Sequence, residues 1–274
     1  MISRTKIVCW AAVVLLGVAC SSGTSTSTGG AAGSAASVSP LAVSESPTPP
    51  VRLPNYRTSG TYPQVSGGKV RLEAVNAALR DAVLRAQRRY AAFVRREYMP
   101  SMPELFGPGY RYSGTYRTSP RLSLISASTV VVSALIPVLE VLPGGTGGAT
   151  WLSVTVRVPS GAPVGIRGLF SQPARGLRAL AAAVRRKVLA TNSCIRASNR
   201  GPGRAINARG FAPTPRNYRY FSLTAKGFAV GFPIDQVGGS SCGRVQTTVP
   251  YAVVRPYLSA LGRRLVAGVR RAPR

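Results

Sequence analysis

The hydrophobic pattern changes period along the chain, and that change is the strongest constraint on its fold. Leu72, Val75, Leu79, Val83, Ala86, Tyr90 and Phe93 recur at steps of three and four, the spacing that lays one apolar stripe along a helix. Arg80, Arg85, Arg88, Arg89, Arg95 and Arg96 take the other faces, so one amphipathic helix is predicted from Lys69 to Tyr98, ended by Pro100 and Pro103. Further on, the period falls to two. Ser128 to Ser133 and Leu135 to Leu142 are rich in β-branched residues, with Pro137 expected at an edge or bulge. Gly144 to Gly148 reads as a turn, and Trp151 to Val158 alternates apolar with polar, which together predict an antiparallel hairpin.

Leu177 to Leu189 is a second helical stretch, with Leu177, Leu180, Val184 and Val188 on one side. Tyr220 to Thr224 and Phe228 to Phe232 flank Ala225, Lys226 and Gly227 as another hairpin, and Thr247 to Tyr251 adds a strand. Val253 to Val269 is predicted as a third helix, with Pro256 in its first turn. Helices and strands mix without a βαβ rhythm and without a repeat. The expected class is α+β, an antiparallel sheet packed with three helices and preceded by a signal peptide and a disordered linker.

The leader has three parts: Arg4 and Lys6, the apolar run Ile7 to Ala19, then Cys20. That is the plan of an export signal. A run of this length rises only about 20 Å as a helix, short of the roughly 30 Å of a bilayer, so a transmembrane anchor is not expected. Leu16 to Cys20 resembles a bacterial lipobox, in which the cysteine is acylated; Gly17 departs from the usual aliphatic residue, and ordinary cleavage nearby is the alternative. Ser21 to Pro50 is Ser, Thr, Gly and Ala, then Pro, with Glu45 as its one charge, a composition that cannot bury enough apolar surface to fold. The expected organisation is a lipoprotein signal peptide over 1–19, a lipid-anchored flexible linker over 20–50 and a folded domain over 51–274. The expected location is the outer face of the cytoplasmic membrane.

Cys9 leaves with the leader and Cys20 is the lipidation site, which leaves Cys194 and Cys242. One pair in an oxidising compartment is most simply a disulfide, with two free thiols as the alternative.

Composition narrows the chemistry. With no histidine anywhere, Ser-His-Asp and Cys-His machinery lack their base, and histidine-ligated metal sites are excluded. The carboxylates of the folded part are Glu73, Asp81, Glu97, Glu104, Glu140 and Asp235; three of them sit among arginines on the first helix, where ion pairs within the helix account for them. The glycine run lacks the Lys-Ser/Thr ending of a phosphate loop and opens a strand. No catalytic, metal or cofactor site is expected, so the chain reads as a non-enzyme.

Charge is the remaining signal. Lys and Arg number 36 against 7 Asp and Glu, a net +29 that becomes +27 once Arg4 and Lys6 leave with the leader. The excess of Arg over Lys suits a GC-rich genome, and cations near helix C-termini complement the helix dipole. Neither explains the scarcity of acids. A field of this sign draws anions, and outside a membrane those are phospholipid headgroups and acidic wall polymers. Arg185, Arg186 and Lys187 on the second helix, with Arg263, Arg264, Arg270 and Arg271 on the third, form the expected anionic-ligand patch.

Several segments share their order with a known family. Tyr62 to Gly67 ahead of a helix carrying Val75 and Asn76, Gly168-Leu169-Phe170 ahead of the second helix, Phe221 to Phe232, and Val249-Pro250-Tyr251 resemble the RsiV-type extracytoplasmic domain family, over about residues 56 to 270. The family is related to secreted mycobacterial immunogenic proteins, includes the lysozyme-sensing ectodomain of an anti-sigma factor, and accompanies some peptidoglycan deacetylases as a non-catalytic domain. The resemblance therefore implies a receptor-like domain that recognises a protein or glycan. Thr150 follows Gly147-Gly148-Ala149 where members often carry histidine, and only Met1 to Lys6 precede the apolar run, which leaves no room for a sigma-binding segment. Typical lysozymes are themselves basic, and like charges oppose that pairing. The first expectation is a lipid-anchored binding protein of the cell envelope, docking on anionic wall or membrane polymer. A receptor for one protein or glycan, and an extracellular nucleic-acid binder, are the alternatives.

Overall fold

The strand Val131–Val141 organises the molecule because both of its faces are covered. In a strand, alternate side chains point to opposite sides. Val132, Ala134, Ile136 and Val138 pack towards the long helix, while Val131, Ser133 and Leu135 face a second sheet. Burial on both sides explains why this stretch reads as a nearly unbroken apolar run.

The computed structural model describes residues 41–53, 56–101, 103–104, 107, 114–119, 123–142, 147–200 and 204–271. The expected signal peptide, lipid site and Cys20 lie outside the described residues. In chain order the elements are β1 (Ala42–Pro47), β2 (Arg52–Leu53), β3 (Tyr56–Ser59), β4 (Thr61–Ser66), α1 (Glu73–Phe93), β5 (Gly114–Thr118), β6 (Leu124–Ala127), β7 (Val131–Val141) and β8 (Gly147–Arg157). Then come α2 (Pro173–Thr191), α3 (Ser193–Ser198), α4 (Arg204–Gly210), β9 (Phe221–Thr224), β10 (Gly227–Phe232), β11 (Val245–Val249) and α5 (Ala260–Arg271). Among the described residues no helix is long and apolar enough to cross a membrane.

Four layers result. First comes α1, on a six-stranded sheet in which β2, β3, β5, β7 and β6 follow one another and β8 pairs with the other side of β7. Against that sheet lies a three-stranded one, ordered β11-β10-β9. Its outer face carries Phe221, Leu223, Phe228, Val230 and Phe232, packed against Leu177, Leu180 and Val184 of α2 and Leu265, Val266 and Val269 of α5. The two sheets meet at a small polar seam: Ser133 Oγ contacts Thr155 Oγ1 at 2.7 Å and accepts the Leu223 N–H at 2.9 Å, and Ser222 Oγ donates to the Ser133 carbonyl. Each polar group buried there has a partner, which is the condition for tolerating it in a core.

Both predicted hairpins are present, β7–β8 and β9–β10. The single antiparallel sheet expected from the sequence is instead, among the described residues, three sheets, one of them containing a parallel pair, β3 with β5. Pro137 lies in the middle of an interior strand, not at an edge. It faces the gap where β7 changes neighbour from β6 to β5, and its carbonyl accepts the Ser119 N–H at 3.2 Å. A residue's N–H and C=O point the same way in a strand, so the donor that proline lacks falls where no ladder bond is due.

Among the described residues two short helices, α3 and α4, add to the three predicted. The third predicted helix begins at Ala260 and not at Val253, because Leu258 is extended to bridge Phe170, and Ser259 caps the helix by accepting the Gly262 N–H. Cys194 on α3 is bonded to Cys242, with Cα atoms 5.5 Å apart.

The linker expected over 20–50 ends earlier than its composition implies. Ala42 to Pro47 pairs along its whole length with β4, and the compact unit runs from Val38 to Arg274. This strand buries almost nothing; Ser46 Oγ donates to Gln64 and Thr61 Oγ1 donates to Glu45. The other side of β4 is closed by Asn76 of α1, whose Oδ1 accepts the Val65 N–H and whose Nδ2 donates to the Val65 carbonyl. An amide side chain thus acts as the missing strand partner.

Candidate ligand cleft and cationic faces

The apolar stripe predicted on α1 divides after Val83. Val75, Leu79, Val83, Gln87 and Ala91 are buried, whereas Ala86, Tyr90 and Phe93 turn towards a cleft of about 650 Å³. Gln87 causes the divergence: it takes the core position, and its Nε2 donates to Thr48 Oγ1 at 2.9 Å. The cleft opens beside β8 and draws Arg89 from α1, Tyr116 from β5, Glu140 from β7, Trp151 and Ser153 from β8, and Arg219 with Tyr220 from the segment before β9. A second hollow of about 510 Å³, walled by Ala78, Ala82 and Arg85 of α1, shares Ser153 and Arg219 with it. The two form one groove along the space between α1 and β8.

Aromatic rings line one end. Tyr90 lies 5.4 Å from Tyr116, 6.1 Å from Tyr56 and 5.9 Å from Phe93, centroid to centroid. Trp151 is fixed by its indole N–H, which donates to the Phe232 carbonyl, and by the Arg244 guanidinium 5.1 Å over its ring. Arg219 stacks 4.6 Å from the Tyr220 centroid and donates to its hydroxyl. Burial raises the phenols of Tyr56, Tyr90 and Tyr116, and the neighbouring Glu140 carboxylate adds to the effect at all three.

Glu140 is the one acid lining the cleft, and desolvation raises its carboxyl from 4.5 to about 7. The folded state therefore holds this proton more tightly than the unfolded chain does, so its contribution to stability is present below pH 4.5 and is lost as pH rises towards 7. E140Q should stabilise the domain at pH 8 by about 1–2 kcal/mol, a figure reduced for partial solvent screening, and change little at pH 4. Denaturant unfolding of both proteins at the two pH values is the measurement. Equal stability at pH 8 would show that Glu140 ionises freely in the fold.

The cations singled out in the sequence are all exposed, and they stand on two helices, α2 and α5. Arg185 and Arg186 stand on the outer side of α2, beyond Arg175 and Arg178 on the same helix face. Lys187 is engaged: its Nζ donates to the Thr248 carbonyl at 2.6 Å. Arg263 likewise donates to the Leu258 carbonyl at 2.6 Å. Arg264 and Arg271 border a hollow of about 430 Å³ with Leu41 and Val130, while Arg270 joins Lys226 around Pro250 and Tyr251. Outward cations thus cover both helices of the outer layer. Sequence reading missed Arg89, Glu140, Trp151 and Arg219 as a group, because five separate segments supply the cleft and no spacing connects them. Among the described residues, no three His, Cys, Asp or Glu side chains gather as a metal site.

No protein-family model matches the sequence, and no curated protein matches it. A crystal structure of a DUF3298 family member from Bacteroides fragilis is similar, with a TM-score of 0.51 and 12% identity, covering 84% of this chain and 97% of that one. A DUF3298 family protein from Pseudomonas aeruginosa gives a TM-score of 0.45 and 8% identity over 81% of this chain and 96% of that one. The Cys194–Cys242 bond is consistent with an exported domain. This chain has a mixed helix and sheet architecture whose fold matches that of a DUF3298 domain.

Proposed function

We propose that the chain is a non-catalytic binding module of the cell envelope, exported, held by a lipid on Cys20 at the outer face of the cytoplasmic membrane, and docking on anionic wall polymer or phospholipid. The observation that carries this reading is the outer layer, where Arg175, Arg178, Arg185, Arg186, Arg264 and Arg271 face solvent on α2 and α5. Among the described residues the one ion pair is Arg80 with Asp81, at 3.5 Å on the exposed side of α1, so these arginines face no carboxylate of their own. Each basic residue near an anionic surface contributes about 1 kcal/mol. The non-catalytic part rests on Glu140 standing in its cleft without a second acid. The finer kinship with RsiV-type domains is supported by the places its motifs take: Asn76 clasps β4, and Phe221 to Phe232 is the hairpin that supplies two of the three strands of the second sheet.

Co-sedimentation of the unit Val38 to Arg274 with isolated cell walls tests this, before and after their anionic polymers are stripped and across a salt series. Changing Arg185, Arg186, Arg264 and Arg271 together to glutamine should weaken retention by about tenfold or more at low salt, with a shallower salt dependence. Retention unchanged by the four substitutions, or by stripping, would refute the reading.

A further inference from the structure

The free edge of β8 is covered at both ends and open in the middle. The Ile234 N–H donates to the Ala149 carbonyl at 3.0 Å, the Val164 N–H donates to the Thr155 carbonyl at 2.8 Å, and the Arg157 N–H donates to Ala162 at 2.9 Å. These bonds all leave the side of β8 away from β7. Outward-pointing groups recur every second residue along an antiparallel strand. Trp151 and Ser153 share that phase: Trp151 stands opposite Pro137, whose carbonyl points to the other side of β7 and accepts from Ser119, so the two exchange no ladder bonds. Among the described residues their backbone N–H and C=O groups have no partner, and both residues line the groove, so the opening is a segment of sheet edge at the floor of a cleft.

What the walls admit follows from their size and charge. On one side, Ala78, Ala82 and Ala86 leave room for a backbone beside α1; Arg85, Arg89, Arg167 and Arg219 stand around the groove, against the single carboxylate Glu140. A row of peptide donors and acceptors at strand spacing matches another peptide backbone, and a rim of arginines matches carboxylates.

We propose that this groove binds an extended polypeptide segment bearing acidic side chains, which adds to β8 as a short strand through the backbone of Trp151 and Ser153. The inference goes beyond polymer docking and does not depend on it, because the cations of α2 and α5 take no part.

Amide hydrogen exchange of the unit Val38 to Arg274 tests it, with a blocked octapeptide of alternating glutamate and valine as probe. The peptide should slow exchange at the Trp151 and Ser153 amides by about tenfold or more, as a newly made hydrogen bond requires. The matching lysine–valine peptide should not. Ser153→Pro removes one outward N–H without touching the β7 ladder and should lower affinity about tenfold, whereas Ser153→Ala, which loses only its 2.6 Å bond to the Phe221 carbonyl, should bind normally. Should the proline variant fail to fold, exchange in the unaltered protein decides alone. No protection of the two amides would overturn the proposal. Equal protection by a uronic-acid oligosaccharide would overturn it too, since the groove would then read charge in a glycan and not a strand.

Discussion

Replacing Cys194 and Cys242 together by alanine will lower the stability of the domain by about 4 kcal/mol, the entropy model's value for a loop of this length. The bond spans 48 residues of separation and ties α3 to the turn Ser240–Cys242. Besides it, the contacts between these pieces are small ones: Ile195 lies against Gly238, Asn199 Nδ2 donates to the Val237 carbonyl at 3.2 Å, and Ser198 Oγ lies 3.5 Å from Cys242 Sγ and accepts the Gly239 N–H. For a domain of this size the loss corresponds to a midpoint about 8–16 °C lower. Thermal unfolding of the double variant is the check, with the reduced natural protein expected to melt at the same temperature. An unchanged midpoint would mean that the contacts of Ile195 and Asn199 already fix the loop.

A comparable loss is expected from Gly231→Val, by a different cause. Gly231 lies on the face of β10 that meets the first sheet, and a Cβ there would come within 2.7 Å of the Trp151 indole. Trp151 cannot retreat without giving up its bond to the Phe232 carbonyl and its contact with Leu135 and Ala229. Overpacking of this kind costs about 1–3 kcal/mol, and a branched side chain belongs at the upper end. The same push moves Trp151 into the cleft, so the variant should also show changed indole fluorescence before unfolding. Stability and fluorescence both like those of the natural protein would mean that the two sheets separate more easily than their packing implies.

The parts of this fold legible in the sequence are those where periodicity reports burial on a known face. Trp151 to Val158 and Phe221 to Phe232 are such stretches, and both form the predicted hairpins. Pro137 was misleading because its tolerance depends on where β5 and β6 end, a fact about two other strands. On α1 the periodicity runs straight through Ala86, Tyr90 and Phe93, since nothing local shows that the polar Gln87 turns inward to meet Thr48. β1 left no apolar signature at all; its stability lies in ladder bonds, which composition does not encode. Cations could be counted from the sequence but not placed, and two of the seven proved to be bonded to backbone carbonyls.

That first strand has a mechanical meaning. Ala42 pairs with Ser66, at the end where β4 leads on into α1. A pull arriving from the residues ahead of Leu41 therefore opens the ladder one rung at a time, and does not shear all its rungs together. Peeling stops at Thr48, which is buried, bonded to the Gly60 carbonyl and held by Gln87. Meanwhile Asn76 keeps β4 on the helix. Tension would thus release about 20 Å of additional chain, six residues at strand rise, before any load reaches the core.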